Sequence, residues 1–264
     1  MSSVSDNAPA LYRSIEDVIR DLEANPVEKG GNVYHPIPFP EFAHLKTSTN
    51  PDEVRLKWAA IEATVLRMFP QGAAGLRVLD IGANAGFYSY SLAADGATVT
   101  AFEPHPRYGP IGKFLVHEKD LRVDWRDCAF SPELVRGQSF DATLMLSVFQ
   151  WMADGGGRMT EAAANLRAVS DMSRCLVFEL GFNTGRSCLT TRKLNHYGEL
   201  IRFLRANTSY RSFRLLRVTR LWRSSRILSR TRIFGGNPRF LVLCSNDQRF
   251  DDSPWRKLLR SIRL

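Results

Sequence analysis

Apolar positions along this chain follow two alternating periods. Short, nearly continuous apolar runs occur at Arg77–Ile81, Thr98–Phe102, Leu121–Trp125, Asp141–Leu146, Cys175–Leu180, Phe213–Val218 and Phe240–Cys244. They read as strands. Stretches with apolar residues every three or four positions lie between them, at Phe87–Ala94, Ile111–Lys119, Arg158–Ser170 and Leu194–Ala206. These read as helices. Strands alternating with helices predict an α/β, doubly wound, mostly parallel sheet joined by right-handed crossovers.

Ahead of the alternation, residues 10–25 predict a short helix with Leu11, Ile15, Val18, Ile19 and Leu22 on one stripe. Residues 26–50 hold four prolines and an adjacent Gly30-Gly31 pair, and read as an irregular lead-in. Asn50-Pro51-Asp52-Glu53 is a helix start, with a capping Asn, Pro at the first position and acids in the first turn. That helix should run to about Phe69. The expected organisation is an N-terminal helical extension and lid over 1–54, a sheet domain over 55–246 and a basic tail over 247–264.

With 264 residues, 44% apolar and 24% charged, the chain is long enough for one buried α/β domain with an extension. No stretch is apolar enough to span a membrane. The first 20 residues lack an apolar core behind a basic start, so no signal peptide is expected. Cys128, Cys175, Cys188 and Cys244 are scattered, without a CxxC pair or a Cys/His cluster. That pattern points to a reduced, cytoplasmic setting. The net charge of +9 is uneven: residues 200–264 hold 16 Lys and Arg against 3 Asp and Glu, whereas residues 1–199 hold 20 against 24. An anionic partner is expected at the C-terminal end.

The chemistry concentrates in VLDIGANAGFYSYSLAADGATVTAFEPHP, Val78 to Pro106. Gly82 and Gly86 fall where the first strand becomes the first helix. Glycine there permits positive φ and a close approach of ligand to backbone. In a doubly wound sheet this is the C-terminal edge, where ligands bind. Glu103 ends the second strand and can accept hydrogen bonds from both hydroxyls of a ribose. Asp80, just ahead of the turn, can hold it or bind an ammonium group. A dinucleotide turn requires G-x-G-x-x-G. This chain has Gly82-Ala-Asn-Ala-Gly86, with an acid that would repel a pyrophosphate.

On these residues the sequence resembles class I S-adenosylmethionine (SAM)-dependent methyltransferases. LDIGANAGFYS followed by TAFEPHP is especially similar to the FkbM-type O-methyltransferases. SVFQW and LVFEL also look like the methyltransferase half of O-antigen chain terminators. The resemblance implies a seven-strand, Rossmann-like sheet with its last strand antiparallel. It implies SAM as cofactor and S-adenosylhomocysteine (SAH) as product. It places Asp80, Gly82, Asn84, Gly86, Glu103, Asp127 and Ser147 at the cofactor, with Asp127 beside the adenine. Asn84 replaces the middle glycine of the commoner turn. No Asn-Pro-Pro-Tyr follows the fourth strand, which counts against methylation of amino groups on adenine or glutamine. No acidic cluster stands where catechol-type enzymes hold magnesium, so no metal is expected.

For the acceptor side, Gln150 and Trp151 follow the fourth strand, His35 lies in the lead-in, and Arg55 lies on the preceding helix. His196 and Glu179 are competing candidate bases for a hydroxyl acceptor. Arg211, Arg214, Arg217, Arg220, Arg223 and Arg226 recur every third residue, a period that suits no single face of a helix or strand. Trp255, Leu258, Leu259 and Ile262, flanked by Arg256, Lys257, Arg260 and Arg263, form a basic amphipathic pattern after Ser253-Pro254. Such a helix either lies on an anionic membrane or docks on its own domain. The expected activity is O-methylation of an anionic or sugar-containing small molecule, a glycan or a natural-product scaffold. A nucleic-acid methyltransferase is the less favoured class, because few aromatics interleave with the arginines. A non-catalytic scaffold of the same fold is the third.

Overall fold

The computed structural model describes residues 11–181, 197–220 and 238–247. Two helices lead in: α1 (Ile15–Ala24), capped by the Ser14 hydroxyl, and α2 (Pro51–Met68), capped by Asn50 Oδ1, which accepts from the Asp52 N–H at 2.9 Å. Because Ser14 sets the start of α1, Leu11 lies outside the helix and is 71% exposed, contrary to the expected stripe. Val18 and Leu22 are buried as expected.

The alternation then runs β1 (Arg77–Ile81), α3 (Phe87–Ala94), β2 (Thr98–Phe102), α4 (Tyr108–Glu118), β3 (Val123–Arg126), β4 (Phe140–Leu146), α5 (Phe149–Met152), α6 (Met159–Met172), β5 (Ser173–Glu179), α7 (Tyr197–Asn207), β6 (Ser212–Arg220) and β7 (Pro238–Ser245). The strands form one seven-stranded sheet in the order β3-β2-β1-β4-β5-β7-β6. β7 runs antiparallel to both β5 and β6, and the other pairings are parallel. The order reverses between β1 and β4, so the ends of those strands open the crevice where doubly wound sheets take ligands.

Alternate side chains divide the core between the two faces. Val78, Val99, Ala142, Val177 and Leu241 face α2, α3, α4 and the N-terminal lead-in, whose Val33, Ile37 and Phe42 join the same cluster. Leu79, Phe102, Met145, Phe178 and Val242 face α6 and α7 through Leu166, Val169, Leu200 and Leu204.

β6 carries a bulge between Leu215 and Arg217. Arg214 is opposite Leu243 and Arg217 is opposite Leu241, so the extra residue puts both arginines on the α2 face. The bulge thus brings two arginines three residues apart to one face of the strand. Arg223, Arg226, Cys188, His196 and the 253–264 segment lie outside the described residues. No helix among the described residues is long and apolar enough to cross a membrane.

Candidate active site

The link from β1 to α3 is a tight turn in which Gly82, Asn84 and Gly86 all have positive φ, at 78°, 55° and 87°. Two contacts show why glycine stands at its ends. A Cβ on Gly82 would lie 2.3 Å from Val148 Cγ2, and one on Gly86 would lie 2.2 Å from the Tyr90 ring. The Gly82 and Ala83 N–H groups both donate to the Phe102 carbonyl, at 2.8 and 3.0 Å. Glu103 completes the link: its Oε2 accepts from the Asn84 N–H at 2.7 Å and its Oε1 from the His105 N–H at 2.8 Å. Each oxygen keeps a second lone pair. Burial raises the Glu103 carboxyl above the usual carboxylate range, against these two N–H bonds.

Asp80 is buried at the end of β1, where its Oδ2 accepts from the Ser89 hydroxyl at 2.6 Å. Burial pushes its carboxyl up to about 7; the Ser89 bond opposes this and the charge of Glu103 adds to it. Asn84 Oδ1 is buried and has no partner among the described residues. Asp127, just past β3, is half exposed and paired with Lys113 at 3.0 Å.

Across the crevice, β4 and β5 end in a second knot. Ser147 has φ 59° and donates its hydroxyl to Glu179 Oε1 at 2.6 Å, while its N–H donates to the Glu179 carbonyl at 2.8 Å. Gln150 is buried, with its amide committed at both ends: Nε2 donates to the Ser147 carbonyl, and Oε1 accepts from the Gly181 N–H at 3.1 Å. Trp151 beside it is 61% exposed.

Glu179 is 1% exposed, and Lys57 from α2 donates to its Oε1 at 2.7 Å. Burial pushes the carboxyl up. The charge and hydrogen bond of Lys57, the Ser147 hydroxyl and the charge of Arg239 outweigh it and hold Glu179 below the usual range. Its Oε2 has no partner among the described residues. The phenol of Tyr88, on the first turn of α3, is pushed up by burial and then by the charges of Glu179 and Asp80, and its buried hydroxyl has no partner among the described residues.

His35 lies edge-on to Tyr88, with ring centroids 5.9 Å apart. The adjoining Tyr34 N–H donates to the Tyr108 hydroxyl at 2.8 Å, tying the lead-in to α4. Burial lowers the His35 imidazole to about 3, with help from the charges of Lys57 and Arg239, so it is neutral at pH 7.

The structure thus brings Asp80, Gly82, Asn84, Gly86, Glu103, Ser147, Glu179 and His35 to one sheet edge. Arg55 is on the far side of α2, paired with Asp52 at 3.3 Å and 69% exposed. The α2 cation that enters the site is Lys57. Its signal was its place on the buried stripe of Val54, Ile61 and Val65. Among the described residues, no group of three or more His, Cys, Asp or Glu is arranged to hold a metal ion.

The strand order, with its antiparallel β7 and glycine turn docked on the acid ending β2, defines the class I methyltransferase fold. Residues 79–172 match the protein family described as Methyltransferase domain, and SAM is the cofactor of such a domain. The ubiquinone biosynthesis O-methyltransferase of Methylobacterium sp. (strain 4-46) is 32% identical over 98 residues, 37% of this chain and 39% of that protein. The protein of the same name from Azorhizobium caulinodans is 35% identical over 82 residues, 31% of this chain and 32% of that one. This chain therefore spans roughly a third to two fifths of the length of those curated relatives. Among solved structures, the bifunctional kinase-methyltransferase WbdD superposes with a TM-score of 0.61 at 21% identity, covering 86% of this chain and 46% of that one. That likeness is one of fold, and it agrees with the second of the two resemblances drawn from the sequence.

Proposed function

We propose that the protein transfers the methyl group of SAM to an oxygen of a small-molecule or glycan acceptor. The observation that carries the reading is the pairing of two sites on one sheet edge. One is the Gly82–Gly86 turn seated on Glu103; the other is the Ser147–Glu179–Lys57 knot. The residues of the first suit SAM. Glu103 keeps lone pairs for a ribose diol, Asp80 is a buried acid that an ammonium group would neutralise, and Asn84 holds an unpartnered Oδ1. Asp127 lies on the rim suited to the adenine.

When bound, SAM supplies an electrophilic methyl on its sulfonium: the acceptor oxygen forms the new bond, and the electron pair of the broken bond stays on sulfur. Alignment of the two reacting atoms accounts for most of the rate in such a step. Glu179 Oε2 takes the proton of a hydroxyl acceptor. Ser147 and Lys57 fix Glu179 from its other oxygen, so the carboxylate cannot swing away. Trp151 offers an exposed apolar face to the acceptor, and neutral His35 with Tyr88 closes the opposite wall. The names of the relatives support oxygen as the methylated atom. A sugar, glycan or natural-product hydroxyl is the acceptor class carried by the sequence resemblance.

The test is to incubate the protein with methyl-labelled SAM and extract from its own source, then fractionate the label. Label in a small-molecule, lipid or glycan fraction is expected. Label confined to nucleic acid would overturn the acceptor class, and absence of turnover with retained SAH binding would favour a scaffold role.

A further inference from the structure

Among the described residues, the layer between α2 and the ends of β5, β6 and β7 holds more cationic charge than its own acids balance. Glu53 and Lys57 stand one turn apart on α2. Glu53 pairs with Arg217 of β6 at 2.8 Å, and Lys57 pairs with Glu179 of β5 at 2.7 Å. Arg239 at the start of β7 is a further cation. Glu179 and Leu241 are partners in the β5–β7 register, and Arg239 lies two residues from Leu241, so Arg239 shares the face of Glu179. The charges of Lys57 and Arg239 both act on His35 and on Glu179. With Arg217 matched by Glu53 and His35 neutral, Lys57 and Arg239 share one carboxylate.

Hydrogen bonding shows the same surplus. Arg239 Nε, Arg217 Nε and the Tyr88 hydroxyl are buried donors without partners among the described residues. Glu179 Oε2 is the unmatched carboxylate oxygen beside them; buried polar groups are nearly always hydrogen-bonded, so three unmatched donors against it call for a further acceptor. The group they suit is anionic, bears at least two oxygens and enters from the sheet edge.

We propose that Lys57, Arg239 and the Tyr88 hydroxyl form a subsite for an anionic oxygen group, a carboxylate or a phosphate, carried by the methyl acceptor. This rests on the methyl-transfer reading and deepens it by naming a feature of the acceptor. The subsite has a second consequence. An anion drawing on Lys57 and Arg239 weakens the attraction that holds Glu179 ionised, so its proton affinity rises. The base thereby strengthens only when the right acceptor is seated.

Titrations of the full-length protein with inorganic phosphate and with benzoate, with and without SAH, test this at constant ionic strength set by sodium chloride. At least one anion is expected to bind saturably, and the tighter of the two identifies the group as phosphate or carboxylate. Arg239→Gln should weaken that anion at least tenfold while leaving SAH affinity within threefold, and Arg239→Lys should recover part of the loss. Tyr88→Phe, which changes no charge, should weaken the anion severalfold and gives a readout independent of Arg239. Failure of both anions to bind folded wild-type protein, or unchanged anion binding in Arg239→Gln and Tyr88→Phe, would overturn the subsite. Anion binding without any SAH binding would instead count against the methyl-transfer reading and leave the subsite standing.

Discussion

Lys57 Nζ meets Glu179 Oε1 at 2.7 Å, joining α2 to the end of β5 across 122 residues of sequence. It is the contact that keeps a carboxylate ionised at a position only 1% exposed. Removing one partner of a buried pair leaves the other uncompensated, a loss of about 3–5 kcal/mol. Lys57→Met should therefore destabilise the protein by about that much at pH 7. In the wild type Glu179 lies below its ordinary value, so its contribution is present above that value and fades as pH falls through the lowered one. In Lys57→Met burial acts unopposed and Glu179 takes a proton at higher pH. The deficit of the variant should then shrink between pH 8 and pH 5, as read by urea unfolding. Adding Glu179→Gln should restore part of the stability at pH 8.

Asp80 predicts a proton count. Its carboxyl sits at about 7 against an ordinary 3.8. Because the folded value is raised, this group favours the folded state below about pH 4, and that favour is lost as pH rises through 7. An ammonium group bound beside Asp80 reverses the shift. SAH binding near pH 6.5 should then release a fraction of a proton, measurable by calorimetry in buffers of different ionisation enthalpy. Asp80→Asn should abolish the release, weaken SAH at least tenfold, and stabilise the unliganded protein at pH 8 by about 1–3 kcal/mol. Unchanged SAH affinity in this variant would remove Asp80 from the site.

Glu103→Gln keeps the size of the side chain but opposes an amide NH2 to one of two backbone donors, Asn84 N–H or His105 N–H. A lost hydrogen bond to a charged group is worth about 1.5–3 kcal/mol. The expected result is a modest drop in stability with a tenfold to hundredfold loss of SAH affinity, read by titration calorimetry. Equal losses in the two would mark Glu103 as a brace of the turn alone.

Gly82→Ala tests the turn itself. The added methyl meets Val148 Cγ2 at 2.3 Å and must also sit at φ 78°. A loss of about 2–4 kcal/mol is expected from the clash and the strain together. Val148→Ala makes room for the methyl but does nothing for the backbone angle. The double variant should recover part of the loss and no more.

Much of this edge was legible in the sequence because its elements are short apolar runs bounded by glycines and acids. β1, α3 and β2 begin and end at the expected residues. α4 starts three residues earlier than expected, at Tyr108, because Gly109 and Pro110 disguise its first turn, where proline loses no helical hydrogen bond. α5 spans four residues, too few to show a period. Glu179 was legible as a candidate base from its place at a strand end. Its partner was not, because the pairing of Lys57 with β5 depends on how α2 lies across the sheet. Arg217 was legible as part of an arginine run, whereas its direction depends on a bulge that no local period announces.

Gln150 and Trp151 are neighbours on one short helix, and the structure gives them opposite settings. Gln150 is 2% exposed, and its amide bridges the Ser147 carbonyl to the Gly181 N–H, tying the end of β4 to the end of β5. Gln150→Ala leaves both backbone groups without that partner and opens a void beside Gly181, at an expected cost of about 1–3 kcal/mol. Because Ser147 also holds Glu179, the loosened strand ends should lower kcat as well as stability. Trp151, 61% exposed, has little to lose on truncation, and Trp151→Ala should shift stability by less than about 0.5 kcal/mol. If its ring covers the acceptor, the same variant should raise KM for the acceptor severalfold and leave SAH affinity unchanged. Thermal unfolding and acceptor saturation kinetics on the two variants separate these roles. A Trp151→Ala protein with unaltered acceptor KM would place the acceptor elsewhere, towards Tyr88 and His35.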